Sequence, residues 1–329
     1  MALLEGDSNP RMVKALEQAF AEPCLERPVL TRAVVVVHRG RIVAERYATG
    51  FGATQRMPGW SMTKSIFNAL IGVLVGEGKL VVDEPADVPE WSKPGDRRGT
   101  ITLDHLLRMS SGLDWSEDYY DPIRSDVLAM LLGPGRQDMA RFSADRDLAH
   151  EPGTFWSYSS GSSNVLSGIV RRATGDRYVS FPSEALFEPL GMNSVVLEKD
   201  GAGTFVASSY SYATARDFAR LGLLFLRDGV WEGRRLLPTG WVDYSRTPAP
   251  ASLDGGYGAA LWLNAGRPGK PLPWPGVPVD AFAATGKDGQ LVAIVPSLDL
   301  VVVRLGMSPE DGRWDRGRFL ASIVQAFGP

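Results

Sequence analysis

Ser61-Met62-Thr63-Lys64-Ser65-Ile66-Phe67-Asn68-Ala69-Leu70-Ile71-Gly72-Val73-Leu74-Val75 is the stretch on which the architecture of this chain turns. Its apolar residues cover nearly every face of a 3.6-residue helix, which predicts a helix buried between layers. Ser61 and Lys64 fall at its first turn, three residues apart and therefore on one face. A hydroxyl and an amine at that spacing can serve as nucleophile and base. Four residues alone also fit a capped, buried helix carrying one snorkelling lysine, so the pattern takes meaning only from its surroundings.

On the N-terminal side, Ala33-Val34-Val35-Val36-Val37-His38 and Arg41-Ile42-Val43-Ala44-Glu45-Arg46-Tyr47 flank Arg39-Gly40 and read as two strands with a tight turn. Asn9 to Ala21 reads as a surface helix. On the C-terminal side, 101–109 reads as a short helix capped by Thr102, 163–174 as a helix stopped by Gly175, and 213–228 as an amphipathic helix capped by Thr214. Tyr257 to Leu263, Gln290 to Val295 and Leu300 to Leu305 read as strands, with turns at Asp288-Gly289 and Ser297-Leu298-Asp299. Arg313 to Phe327 reads as a closing helix, and Pro268 to Pro278 as a loop. No strand run is evident from about Asp83 to Ser194. Strands thus cluster at both ends of the chain around a helical insertion. The expected class is α+β: one antiparallel sheet built from both termini and flanked by helices, plus a mostly helical second lobe. Residues 1–80 and 200–329 are assigned to the sheet lobe and 81–199 to the helical lobe, with the active site between them.

A chain of 329 residues can bury a large core, and 44% hydrophobic with 22% charged residues is ordinary for a soluble globular protein. A net charge of -3 gives no footprint for nucleic acid. The apolar runs are too short for a membrane span, and the first seven residues lack a basic region and a long apolar region. Cys24 is the one cysteine, which excludes an internal disulfide and a cysteine-based metal site and suggests a cytoplasmic location. The expected partner is a small molecule, and no cofactor is implied.

A serine hydroxyl needs a base. The chain has three histidines, His38, His105 and His150, and no G-x-S-x-G elbow, since Gly59-Trp60-Ser61-Met62-Thr63 lacks the second glycine. His38 lies at a hairpin turn, His105 in a helix and His150 in a loop. Their spacing fits neither a triad nor a metal site. Lys64 remains as the base for Ser61, provided burial keeps it neutral. Phe155-Trp156-Ser157-Tyr158-Ser159-Ser160-Gly161-Ser162-Ser163-Asn164 is dense in hydroxyls between a Pro-Gly turn and a helix. A tyrosine there could relay a proton, although a cap-and-turn cluster reads the same way. Ala284-Thr285-Gly286-Lys287-Asp288-Gly289-Gln290 joins one strand to the next. A glycine at such a place lets a main-chain N–H face a developing oxyanion, although an ordinary hairpin would look alike.

Ser-x-x-Lys at 61, a tyrosine-bearing hydroxyl cluster about a hundred residues later, and a Thr-Gly turn near the C-terminus resemble, in this order, the serine β-lactamase and penicillin-binding-protein superfamily. Ile101 to Leu113, Glu151-Pro152-Gly153-Thr154, 213–219 and 298–303 extend the likeness over roughly residues 30 to 325. It is nearest to the class C-like branch, and within it to 6-aminohexanoate-dimer hydrolases and related family VIII-type carboxylesterases. Glu117-Asp118-Tyr119-Tyr120-Asp121-Pro122 and Gly286-x-x-Gly289-Gln290 point to that subgroup. The resemblance implies that Ser61 is acylated, that Lys64 takes its proton, and that Tyr158 protonates the leaving group and assists water. It implies an oxyanion hole from the Ser61 N–H and one just after Gly286, a substrate contact at Tyr119, with Tyr120 as the second choice, and a binding wall that includes Ser160, Thr285, Gly286 and Lys287.

Two positions depart from the family pattern. Tyr-x-Asn is here Tyr158-Ser159-Ser160, and the Lys or His that opens Lys-Thr-Gly is Ala284. Both departures weigh against β-lactamase or D,D-peptidase activity and toward esters or small linear amides. A cation elsewhere, for example Lys287, could replace the lost charge. A non-catalytic binding module of the same fold is the alternative from another class, and the intact Ser61, Lys64 and Tyr158 set speaks against it.

Overall fold

The computed structural model describes residues 9–22, 26, 28–309 and 311–327. Cys24 and the reading of the first seven residues lie outside them. A six-stranded antiparallel sheet runs in the order Arg41–Tyr47, Thr31–His38, Leu300–Gly306, Gln290–Val295, Phe282–Gly286, Trp262–Leu263. Its two central strands pair Val35 with Val303 and Val36 with Val302. Both faces of the sheet are buried, which is why these strands read as unbroken apolar runs instead of alternating ones. Val34, Val36 and Val302 pack against Met12, Leu16, Leu320 and Ile323 of the helices Pro10–Ala19 and Arg316–Val324. Val35, Val37 and Val303 face the other way, into the core shared with the helices Thr63–Gly76 and Ala215–Leu226. The termini therefore meet in one sheet, and Asn9 caps the first helix while its amide binds Ala326 O at 2.6 Å.

Helix Thr63–Gly76 is the central element. Every residue from Thr63 to Gly72, and Leu74, is buried. Its polar side chains are all engaged. Ser65 Oγ donates to Ala260 O at 2.7 Å, and Asn68 Nδ2 donates to Ala259 O at 2.9 Å and Ser245 Oγ at 3.0 Å. Asn68 Oδ1 accepts from the Trp241 indole at 3.1 Å. That indole fills the space a side chain at Gly72 would need, 2.5 Å from an ideal Cβ. Burying Ile66, Phe67 and Leu70 contributes about 1.5–3 kcal/mol each relative to exposure.

The helices expected at 101–109, 163–174, 213–228 and 313–327 are present as Leu103–Leu107, Ser160–Thr174, Ala215–Leu226 and Arg316–Val324, with Thr102 and Thr214 as N-caps and Gly175 as a C-cap. The Ser160 helix starts three residues before the expected 163, because Ser159 caps it by accepting from Ser162 N–H at 3.0 Å. Residues 83–194 hold no strand, only the single bridges Pro85 to Thr102 and Leu113 to Leu148.

Three expectations need correction. Ser61 lies in a 3-10 turn, Trp60–Met62, that leads into the helix, not in its own first turn. Only Trp262–Leu263 is a strand within 257–263, because Ala260 takes a left-handed φ of 54°, and its own carbonyl and that of Ala259 face the central helix. Ala284-Thr285-Gly286 does not merely join strands: it is the end of the strand Phe282–Gly286. Among the described residues, no helix is long and apolar enough to cross a membrane.

Candidate active site

The turn that carries Ser61 is held from both sides. Strand Met57–Pro58 pairs with Ser211–Ala213, and Gly59 N–H donates to Ser211 O at 2.7 Å. Thr63 Oγ1 donates to Trp60 O at 2.7 Å and contacts Ser211 Oγ at 2.7 Å. Trp60 is thereby fixed at φ 48°, a left-handed conformation that a bulky residue adopts only when its surroundings impose it. Ser61 follows at the second residue of the 3-10 turn, where an N–H has no partner within the turn.

Lys64 sits one helical step on, with 3% of its surface exposed. Its Nζ lies 3.0 Å from Ser61 Oγ, 3.2 Å from Ser160 Oγ and 2.9 Å from Ser208 O. Burial pushes its pKa down to about 8, and the Glu117 carboxylate opposes part of that shift. A neutral amine has two N–H groups and one lone pair. Ser208 O can only accept, and Ser160 Oγ gives its own proton to Glu117 Oε1 at 2.5 Å. Those two neighbours therefore take the two N–H groups and leave the lone pair for the Ser61 hydroxyl.

Tyr158 completes the cluster. Its phenol lies beside the Ser61 side chain, and its ring lies 4.8 Å from Lys64 Nζ. Tyr257 meets that ring edge-on at 5.9 Å and Trp262 lies at 5.7 Å. Burial in this aromatic box, then the neighbouring Tyr257 and Glu117, raise the phenol well above its ordinary pKa, so Tyr158 carries its proton at neutral pH.

The sequence marks Glu117 only as one acidic residue of the stretch 117–122. It accepts Ser160 N–H at 2.8 Å and Ser160 Oγ–H, the Trp115 indole at 2.7 Å, and the Tyr119 hydroxyl at 3.3 Å. It thus seats a carboxylate on the first turn of the Ser160–Thr174 helix, where the helix dipole favours an anion. Ser160 occupies the place of the missing amide and serves the Lys64–Glu117 link. Tyr119 reaches the cluster through Glu117, and burial raises its pKa. Lys287 Nζ lies 5.1 Å from the Tyr119 ring centre, and no hydrogen bond or ion pair engages that ammonium among the described residues.

Gly286 ends its strand against the turn that carries Ser61. A Cβ there would stand 2.3 Å from Gly59 O and 3.0 Å from Trp60 Cβ, so only glycine permits the approach. Thr285 is buried on the opposite pleat of that strand. Ala284 is also buried, within the sheet core. The histidines are occupied elsewhere: His38 packs on Phe327, His105 closes the capping box of Leu103–Leu107, and His150 stacks on Phe155. A 460 Å³ groove lined by Val88, Arg141, Gly168 and Arg172 holds none of the catalytic candidates, and Arg172 there is paired with Asp87.

Fold and site together define a serine hydrolase. The family model described as beta-lactamase matches residues 13–321, and the chain belongs to that family. It is 29% identical over 316 residues to the 6-aminohexanoate-dimer hydrolase of Paenarthrobacter ureafaciens, covering 90% of this chain and 76% of that protein. Among solved structures, a family VIII carboxylesterase superposes with a TM-score of 0.75 at 15% identity, covering 98% of this chain and 97% of the other. A penicillin-binding protein homologue from Caulobacter crescentus superposes with a TM-score of 0.74 at 19% identity, covering 98% of each. At those identities the two superpositions establish the shared fold.

Proposed function

We propose that this serine hydrolase cleaves carboxylic esters and small linear amides through an acyl-enzyme on Ser61. Ser61 Oγ attacks the substrate carbonyl as its proton passes to the Lys64 amine. The N–H groups of Ser61 and Lys287 receive the oxyanion. The C–O or C–N bond then breaks, and the Tyr158 phenol protonates the leaving alcohol or amine. Tyr158 regains a proton from the Lys64 ammonium. Water repeats the sequence on the acyl-enzyme and releases the acid, so one ester and one water give one acid and one alcohol. Lys64 carries this reading: it lies 3.0 Å from Ser61 Oγ, with burial holding its pKa near 8. Similarity to the 6-aminohexanoate-dimer hydrolase supports the amide arm. Ala284 and Ser160, in place of the residues that serve penicillins, support weak β-lactam turnover.

The cleft is read as lying between a sheet lobe of 1–80 with 200–329 and a helical lobe of 81–199. A small-molecule substrate and a cytoplasmic site of action complete the reading, the latter resting on a single cysteine in 329 residues. The test is turnover of a nitrophenyl ester, a linear aminohexanoate dimer and a cephalosporin by the wild type and Ser61→Ala. Ester turnover that vanishes with Ser61→Ala supports the reading. Equal ester rates in both proteins, or a cephalosporin turned over faster than the ester, would overturn it.

A further inference from the structure

Arg304 is the largest fully buried side chain of the described residues, with no measurable exposure. It lies on the central strand Leu300–Gly306, opposite Leu291 and Val34. No carboxylate lies within ion-pairing distance of it among the described residues. Burial opposes its charge, Glu22 and Asp288 favour it only at longer range, and an apolar side chain of similar volume would fill the same space more cheaply. What an apolar side chain would lack is the guanidinium's planar fork of five N–H groups.

The fork is fully used. Nη1 donates to Asp288 O at 3.0 Å and Gly289 O at 3.1 Å. Nη2 donates to Thr31 Oγ1 at 2.9 Å, Ser308 Oγ at 2.5 Å and Val29 O at 3.3 Å, while Nε reaches Thr31 Oγ1 at 3.2 Å. The Trp314 ring covers the guanidinium at 4.6 Å. The backbone is shaped around it: side chains at Gly289 and Gly306 would stand 2.5 Å and 2.4 Å from guanidinium atoms. Asp288 and Gly289 are two consecutive left-handed residues, at φ 59° and 79°. Asp-Gly takes this conformation readily in a tight hairpin turn, as Arg39-Gly40 and Asp228-Gly229 also do, so what sets this turn apart is what binds its carbonyls. Arg304 binds both of their carbonyls, and Ser308 N–H binds Asp288 O a second time at 3.0 Å.

This turn, Lys287–Gly289, directly follows Gly286, which itself abuts Gly59 O and Trp60. We propose that Arg304 is a positioning residue for the oxyanion hole, gripping the Asp288 and Gly289 carbonyls so that the Lys287 N–H stays aligned with the Ser61 N–H. The proposal rests on the acyl-enzyme reading above. It accounts for a charge buried on the sheet that touches neither Ser61, Lys64 nor Tyr158.

The test uses Arg304→Lys, which keeps the charge and most of the length but loses the fork. Three quantities are measured on folded protein: kcat and KM for a nitrophenyl ester, inhibition by an aryl boronic acid that forms a tetrahedral adduct on serine, and the melting temperature. Removal of one oxyanion donor costs about 100- to 1000-fold, and a displaced donor costs less. The expected result is a kcat lower by about tenfold or more, KM within about threefold, and boronate affinity weakened by a factor similar to that for kcat. If kcat and boronate affinity stay within about twofold of wild type while the melting temperature falls, Arg304 is structural and the proposal fails. Should Arg304→Lys not fold, Ser308→Ala removes one acceptor of the guanidinium and keeps the Ser308 N–H bond to Asp288 O. It is expected to show the same pattern at about threefold, and unchanged kcat with unchanged boronate affinity would equally overturn the proposal. Loss of activity in Ser61→Ala beside normal kinetics in Arg304→Lys would sink this inference alone. Retained activity in Ser61→Ala would sink the acyl-enzyme reading itself.

Discussion

The two sides of the cluster around Ser61 are built on opposite principles. The side carrying Lys64 is a buried helix, entered through the 3-10 turn of Ser61, whose Lys64, Ser65 and Asn68 side chains are tied to distant backbone at Ser208, Ala260 and Ala259. The side carrying Tyr119 is a loop, and two of its apolar side chains, Tyr120 and Ile123, stand 81% and 93% exposed. Glu117 is the hinge between them, since one carboxylate binds Ser160 on the Lys64 side and Tyr119 on the loop side. The difference teaches that the proposed chemistry is held by burial, whereas the loop proposed to contact substrate has an exposed flank with little packing to constrain it.

That contrast can be broken most sharply at the proposed nucleophile. Ser61→Ala is expected to lower ester turnover by about a thousandfold or more, with the melting temperature little changed, as a nitrophenyl-ester assay would read. Glu117→Gln keeps the shape but removes the charge. Because the carboxylate raises the pKa of Lys64, its loss lowers that pKa, so the acid limb of the pH–rate profile should move to lower pH. Turnover at alkaline pH should fall by about ten- to a hundredfold, since Ser160 is then held less firmly. A limb that stays in place or moves to higher pH would separate Glu117 from Lys64.

Smaller effects sharpen the comparison. Glycine to alanine in a helix usually stabilises by about 1 kcal/mol, but at Gly72 the new methyl meets the Trp241 indole. Overpacking of about 1–3 kcal/mol should win, giving Gly72→Ala a lower melting temperature in a thermal scan. On the loop side, Ile123→Ser should leave both stability and kcat within about twofold, because that side chain packs on nothing. A large loss there would mean that the loop is as constrained as the helix.

Much of the side carrying Ser61 and Lys64 was legible in the sequence, and the reasons are physical. Val34 to Val37 and Val301 to Val303 announce a strand because both faces are buried and no polar residue interrupts them. Thr102 and Thr214 announce helix starts because a cap hydroxyl satisfies a nearby N–H. Ser61 and Lys64 announce each other because a helical step joins them. What stayed hidden depends on contacts far apart in the chain. Phe282-Ala283-Ala284-Thr285-Gly286 has two small residues and a Thr-Gly ending, so its local signal is that of a turn; pairing with Gln290–Val295 makes it a strand. Glu117 is one acidic residue among several in a loop, and nothing local marks its bond to Ser160, 43 residues away. Arg304 sits inside an apolar run and reads as an interruption until the turn it grips is seen.

The most direct test of the central claim is the site and pH dependence of acylation. A slowly hydrolysed ester would be mixed with the protein, quenched early, and the peptides mapped by mass. An adduct of the acyl mass on the Ser61 peptide, absent from Ser61→Ala and forming about tenfold faster per pH unit up to the Lys64 pKa of about 8, is the predicted result. An adduct on another residue, or a Ser61 adduct whose rate does not change with pH below 8, would contradict it.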